Sequence, residues 1–342
     1  MATAGLGFFS SPRPPRQLCY NSRFSPLFRK ASPLSPKATR FSAAKNLTSA
    51  TAFPDHKPDR FIDDKKVIIR TNILACPICY NHFIWNHKPQ PSMYSLSQST
   101  LKCNTCQKTY YGNDTHIDLT ISSGGKAFGE TIAASTEIFR GWRQSFSLWG
   151  GFPGPEKEFE LMQDYLEPVM GGNIIDASCG SGLFSRLFAK SGQFSLVVAL
   201  DFSEAMLQQC YEFINQEENF PKENIVLVRA DISRLPFASS TVDAVHAGAA
   251  LHCWPSPSSA VAEISRVLRP GGVFVATTYI MDGIYSLNPF LKPFRQSFAQ
   301  VSGSHIFLNN KELEDLCTVC GLVGFKCIRN GRFIMLYAMK PT

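Results

Sequence analysis

Residues 173–182 read Asn-Ile-Ile-Asp-Ala-Ser-Cys-Gly-Ser-Gly, and this stretch constrains the chain more than any other. An apolar run ends in an acid, Asp176, and a turn carrying Gly180 and Gly182 follows. The pattern predicts a helix over residues 183–190. Glycine has no Cβ, so such a turn lets a ligand lie directly against backbone. Its place at the end of a strand puts that ligand at the carboxyl edge of a parallel sheet, where open α/β folds bind.

Two cofactor classes use a turn of this kind. Dinucleotides need a further glycine three residues after the last, so that helix and sheet pack closely. Ser185 stands there instead. The other class is S-adenosylmethionine, whose pattern is Asp-x-Gly-x-Gly-x-Gly, with no phosphate to cradle. Asp176, Ser178, Gly180 and Gly182 match it with one change, serine for the first glycine.

The rest of the C-terminal half repeats strand and helix. Residues 195–201 form a continuous apolar run of buried-strand type. It ends in Asp201, where a carboxylate can accept both hydroxyls of an adenosine ribose. Ser203 is a natural N-cap for a helix running to about residue 219. A strand over 225–230 precedes Asp231, placed to accept from the exocyclic amine of adenine. A fourth strand is expected over 241–248 and a helix over 258–268. Arg269-Pro-Gly-Gly272 reads as a helix stop and tight turn before a fifth strand, 273–278. A helix over 310–320 is closed by Gly321. Asn330-Gly331 is a strong hairpin signal between strands 322–329 and 332–339. The sheet should therefore close with an antiparallel hairpin.

As a set, the Asp176 turn, Asp201, Ala230-Asp231, Leu235-Pro-Phe237 and Arg266-Val-Leu-Arg-Pro-Gly-Gly272 resemble a class I S-adenosylmethionine-dependent methyltransferase. The likeness is to the branch holding the quinone-biosynthesis enzymes, above all its plant chloroplast members, and covers about residues 155–342. It implies an α/β fold: a Rossmann-like seven-stranded sheet whose last strand is antiparallel. It also implies cofactor contacts from the turn of Asp176, Ser178, Gly180 and Gly182, with Asp201 on the ribose and Asp231 on the adenine. The plainer alternative is that these acids only cap strand ends.

Residues 1–54 hold eight Lys or Arg and no acid, and are rich in serine and proline. Basic, acid-free, hydroxyl-rich leaders are organelle transit peptides. Seven prolines break any long amphipathic helix there, which favours chloroplast over mitochondrion. A disordered basic tail for nucleic acid is the alternative. Without those eight, 26 of the 34 basic residues face 27 acids. The remaining chain is near neutral, which argues against nucleic acid as a partner. No run reaches the roughly 18 apolar residues of a spanning helix.

Cys76-Pro-Ile-Cys79 and Cys103-Asn-Thr-Cys106 are two Cys-x-x-Cys knuckles with 23 residues between them. Four such thiolates suit a structural, tetrahedral Zn²⁺. The expected layout is a leader (1–54), a zinc ribbon (55–125), an aromatic linker or lid (126–154) and the methyltransferase domain (155–342). With separate cores, ribbon and catalytic domain should melt separately. The run from Leu101 to Leu119 is similar to the N-terminal ribbon of bacterial ribosomal RNA guanine methyltransferases. That likeness keeps an RNA base as an alternative acceptor. Cys317-Thr-Val-Cys320 has the same spacing but sits on an amphipathic helix, so core packing is expected.

Methyl transfer from a sulfonium needs an in-line nucleophile, so positioning carries most of the rate. Only a protonated nucleophile calls for a base. His252, just beyond the fourth strand, is the candidate base or orienter, or else a loop histidine stacked near Trp254. His246, within the strand, reads as structural. The Asn-Pro-Pro-Tyr signature for amide and exocyclic amine acceptors is absent, and Gly248-Ala-Ala-Leu251 stands in its place. The insert over about 279–308 is rich in aromatic and aliphatic residues, Phe290 and Phe294 among them. As a substrate lid it implies a small apolar or phenolic acceptor, quinone- or isoprenoid-like. It could also dock on plastoglobule lipid bodies or thylakoid surfaces from the stroma. A third reading is a cofactor-binding scaffold without catalysis.

Overall fold

The computed structural model describes residues 73–85, 92–94, 99–121, 151–280 and 306–342. The leader, the linker up to residue 150 and residues 281–305 of the predicted lid lie outside the described residues.

Three short strands, β1 (Phe83–Trp85), β2 (Thr100–Cys103) and β3 (Thr109–Tyr111), form an antiparallel sheet around the cysteine knuckles. Then β4 (Ile117–Asp118) leaves that unit. The larger part begins with α1 (Pro155–Leu166), β5 (Asn173–Ala177), α2 (Leu183–Ser191) and β6 (Leu196–Asp201). It continues with α3 (Glu204–Gln216), β7 (Ile225–Arg229), β8 (Val242–Ala247) and α4 (Pro257–Val267). It ends with β9 (Leu268–Tyr279), α5 (Asn310–Val319), β10 (Val323–Asn330) and β11 (Phe333–Met339).

The central sheet runs in the order β10-β11-β9-β8-β5-β6-β7-β4. All five residues of β5 are buried, as are the first five of β6. Continuous apolar runs of this kind belong to parallel strands covered on both faces. Only β11 opposes its neighbours, pairing antiparallel with both β9 and β10. The chain moves outward from β5 to β6 and β7, then returns to β8 on the other side of β5. That reversal opens a crevice beyond the carboxyl end of β5, where ligands bind in open α/β sheets. The helix starts are capped as the sequence indicates. The Ser203 hydroxyl accepts from Met206 N at 3.4 Å, and Asn309 forms a capping box with Glu312.

The structure departs from expectation twice. Arg269-Pro-Gly-Gly272 is not a free turn, because β9 already begins at Leu268. Gly271 N donates to Lys340 O and Lys340 N to Gly272 O, so the chain end draws this stretch into the sheet. The irregularity survives as a register shift against β8 and as a φ of 73° at Gly271.

The second departure is an eighth strand. Short β4, from the ribbon segment, pairs in parallel with β7 and covers what would be the sheet edge. Ile117 and Leu119 bury completely there. Ribbon and catalytic sheet therefore share a core, which removes the reason to expect them to melt separately. Among the described residues no helix is long and apolar enough to cross a membrane.

Candidate functional site

The turn after β5 is built on positive φ angles: Ser178 at 58°, Gly180 at 56° and Gly182 at 74°. The two glycines serve different purposes. A Cβ at Gly180 would meet nothing within 4 Å, so backbone there is open to a ligand. A Cβ at Gly182 would collide with the Cys210 side chain of α3. Gly182 is thus required by packing beneath the turn.

Asp176 lies below the turn and is 2% exposed. One carboxylate oxygen accepts from His246 Nδ1 at 2.8 Å and the other from the Ser185 hydroxyl. His246 is fully buried against the rings of Phe184 and Phe188, which agrees with a structural role. Its Nε2 has no hydrogen-bond partner among the described residues.

Asp201 ends β6 beside the same turn. Its carboxylate accepts from Gly180 N and from Ser203 N, each at 2.8 Å. Burial holds its carboxyl above the usual carboxylate range, although both N–H groups favour the charge. Each oxygen can still accept a further bond. Asp231 follows β7 and is exposed. One of its oxygens accepts from the N–H and the hydroxyl of Ser233. The sheet thus brings Gly180, Asp201 and Asp231 to one edge, on the ends of neighbouring strands β5, β6 and β7.

On the other side of the crevice, Trp254 donates its indole N–H to the Ser178 hydroxyl at 3.0 Å. His252 precedes it in the short helical turn 251–253. His252 Nδ1 lies 3.1 Å from the Thr278 hydroxyl, and its ring stacks on Phe307 at 5.6 Å and 10°. Tyr279 meets it edge-on, and Ile306 N donates to its carbonyl. The ring therefore stacks on Phe307, at the foot of the predicted lid, rather than on Trp254.

Two features escaped the sequence reading. Glu158, in α1, is 2% exposed and accepts from the Thr277 hydroxyl at 2.7 Å. That hydroxyl in turn accepts from Ala249 N. An acid in the first turn of a helix reads as a surface partner of the dipole, so the sequence held no signal. The bond from Trp254 to Ser178 did leave a trace: a buried indole N–H needs an acceptor.

The sulfur atoms of Cys76, Cys79, Cys103 and Cys106 all lie within 4.8 Å of one another. Cys76 and Cys106 are 3.5 Å apart, Cys79 and Cys103 3.3 Å. A tetrahedral zinc with Zn–S bonds of about 2.3 Å has sulfur–sulfur edges of about 3.8 Å, so the four residues fit that ion. Cys317 is instead buried in α5, where burial pushes its thiol up to about 12.

A family model described as a methyltransferase domain matches residues 175–276, from β5 into β9. Over 302 residues the chain is 62% identical to an uncharacterized chloroplastic methyltransferase of Arabidopsis thaliana, covering 85% of this chain and 83% of that one. The chain belongs to the S-adenosylmethionine-dependent methyltransferases. A second chloroplastic methyltransferase of the same plant is 43% identical over 330 residues, 93% of this methyltransferase and 91% of the relative. Both labels support a chloroplast location. A demethylmenaquinone methyltransferase of Staphylococcus aureus is 32% identical over 130 residues, 38% of this chain and 49% of its own. Among solved structures, a Haemonchus contortus phosphoethanolamine N-methyltransferase bound to S-adenosylhomocysteine superposes with a TM-score of 0.51. It is 14% identical, with 64% of this chain and 61% of that one covered, and the likeness concerns the fold alone.

Proposed function

We propose that this methyltransferase acts in the chloroplast on a small apolar or phenolic acceptor of the quinone or isoprenoid class. The observation that carries the reading is the wall around His252. The His252 imidazole stacks on Phe307 and meets Tyr279 edge-on, just beyond the end of β8. Such a wall offers contact area to a flat apolar molecule and one group able to take a proton from a phenol. The local likeness to a demethylmenaquinone methyltransferase points the same way, over 38% of the chain.

When bound, S-adenosylmethionine supplies a methyl on a sulfonium, already attached to a good leaving group. The chain's part is to hold and orient. Gly180 offers open backbone, Asp201 would accept the ribose hydroxyls and Asp231 the adenine amine. We assign Asp176 and Gly182 to shaping the turn, and Ser178 to linking it to Trp254. His252 would accept the acceptor's proton or orient its oxygen, with Thr278 fixing the ring. The four knuckle cysteines would hold one structural Zn²⁺.

The reading is tested by incubating purified protein with labelled S-adenosylmethionine and a prenylated hydroquinone, and separating the products. Label in the quinone supports it. Label accepted only by ribosomal RNA would replace it with the RNA reading. Cofactor binding without transfer to either would favour the scaffold.

A further inference from the structure

We propose that the cysteine ribbon braces the loop carrying Asp231, so that metal at the four cysteines tunes cofactor affinity through Arg234. The inference rests on the zinc and adenine readings above and extends them to a coupling between the two sites.

Residues 230–238 belong to the loop that joins β7 to β8, and the ribbon segments hold them at three places. At its start, Leu119 N donates to Arg229 O at 2.9 Å, and the Arg229 guanidinium pairs with Asp118 at 3.1 Å. At its end, Ala75 N donates to Pro236 O at 2.8 Å and Ala238 N to Ile73 O at 3.0 Å. Leu74 and Phe237 face each other across that bridge, both buried. In the middle, Arg234 Nε donates to Pro77 O at 2.9 Å, and a second guanidinium nitrogen lies 3.5 Å from Ile78 O.

Pro77 and Ile78 are the two residues between the knuckle cysteines Cys76 and Cys79. Ligation of those two sulfurs would fix the direction of these carbonyls, and Ile78 N is itself aimed at Cys76 Sγ. On the loop side, Arg234 N donates to Asp231 O at 2.9 Å. Arg234 and Asp231 therefore close one tight turn, and what moves one moves the other.

A second contact runs in parallel. The Tyr80 ring, next after Cys79, lies 3.9 Å under the Arg266 guanidinium. Arg266 donates to the carbonyls of Leu235 and Phe237 in the same loop. A knuckle without metal loses the constraint that folding takes from ligation. The loop then loses the fixed carbonyls that hold its turn, and the cofactor must order it on binding. Such a coupling is reciprocal, so bound cofactor should also slow metal loss.

The test is calorimetric binding of S-adenosylhomocysteine to the full chain, with zinc content measured on the same samples. Stripping zinc with a chelator should weaken binding about five- to tenfold, in the usual range of coupling energies. Arg234→Met should weaken it comparably with zinc content unchanged. Stripping the Arg234→Met protein should then weaken binding by less than stripping does in the wild type, the remainder passing through Tyr80 and Arg266. Arg234→Lys, which keeps one donor for Pro77 O, should recover part of the loss.

A chain that takes up no zinc would overturn the metal reading and this inference with it. One zinc per chain with the same affinity after stripping would overturn this inference alone. An Asp231→Ala protein of unchanged affinity would remove the adenine role on which it rests. If the stripped chain unfolds, the zinc-loaded Arg234→Met protein decides, and unchanged affinity in it refutes the brace.

Discussion

Trp254 and Ser178 join the two sides of the crevice, the indole N–H of one donating to the hydroxyl of the other at 3.0 Å. Ser178 stands where the family pattern has glycine, and it keeps the glycine conformation, with a φ of 58°. A side chain in that region costs about 1 kcal/mol. A hydrogen bond to a buried donor contributes about as much in return. The departure from the pattern is thus offset by a partner far away in sequence, on the loop after β8.

Two substitutions at this position should behave differently. Ser178→Gly leaves the indole N–H unpaired but relieves the backbone, so it should cost about 1 kcal/mol less than Ser178→Ala. Ser178→Ala keeps the strain and leaves the indole N–H unpaired, at about 1–3 kcal/mol. Urea unfolding of the two proteins decides. Equal losses would mean that the positive φ at residue 178 carries no strain.

Asp201→Ala should weaken S-adenosylmethionine binding by about 1–3 kcal/mol, the cost of leaving buried ribose hydroxyls without an acceptor. Asp201→Asn keeps an acceptor but adds a donor facing Gly180 N–H, so it should fall between wild type and alanine. Calorimetry at fixed salt measures both. An unchanged affinity in Asp201→Ala would contradict the ribose assignment.

The seam between β4 and β7 should be acid-sensitive. Burial pushes the Asp118 carboxyl up, but the hydroxyl and N–H of Thr120 and the guanidinium of Arg229 outweigh it and hold it below its usual range. The charged form is thus favoured by folding. Its stabilisation is present above the unfolded value of about 3.9 and is lost as pH falls through the lower folded value. Asp118→Asn should flatten the acid limb of the stability curve over that window. At neutral pH it should cost under about 1 kcal/mol, because the pair is partly exposed. An acid limb as steep as wild type would show that the pair carries no linkage.

The sequence was most legible where one physical cause acts locally. Continuous apolar runs located β5, β6 and β7, and Ser203 and Asn330-Gly331 fixed a helix start and a hairpin. The place of Asp201 beside the turn was readable because the carboxyl ends of neighbouring parallel strands lie on one side of a sheet. What could not be read depends on partners distant in the chain. Arg269-Pro-Gly-Gly272 looks like a free turn until Lys340 pairs with it. The bond between Asp176 and His246, 70 residues later, has no local pattern to announce it. Gly182 answers to Cys210 on another helix. Two residues of β4 are too short a pattern to announce a strand in another unit's sheet.

His252→Ala should lower kcat for a phenolic acceptor by about 10²–10⁴-fold, the usual contribution of a positioned base, with little change in cofactor affinity. Thr278→Val, which removes the contact to Nδ1, should give a smaller loss of the same kind. Steady-state kinetics at saturating cofactor read both. Activity of His252→Ala equal to wild type would leave the ring as a packing element against Phe307.

The central claim is that the turn after β5 delivers a methyl group to an apolar plastid molecule. The most direct measurement gives the protein methyl-labelled S-adenosylmethionine and total chloroplast extract, then separates lipid, RNA and protein. Label should enter the lipid fraction with wild-type protein and fall sharply with Asp201→Ala. Label confined to RNA or protein, or lipid label equal in the two proteins, would contradict the account.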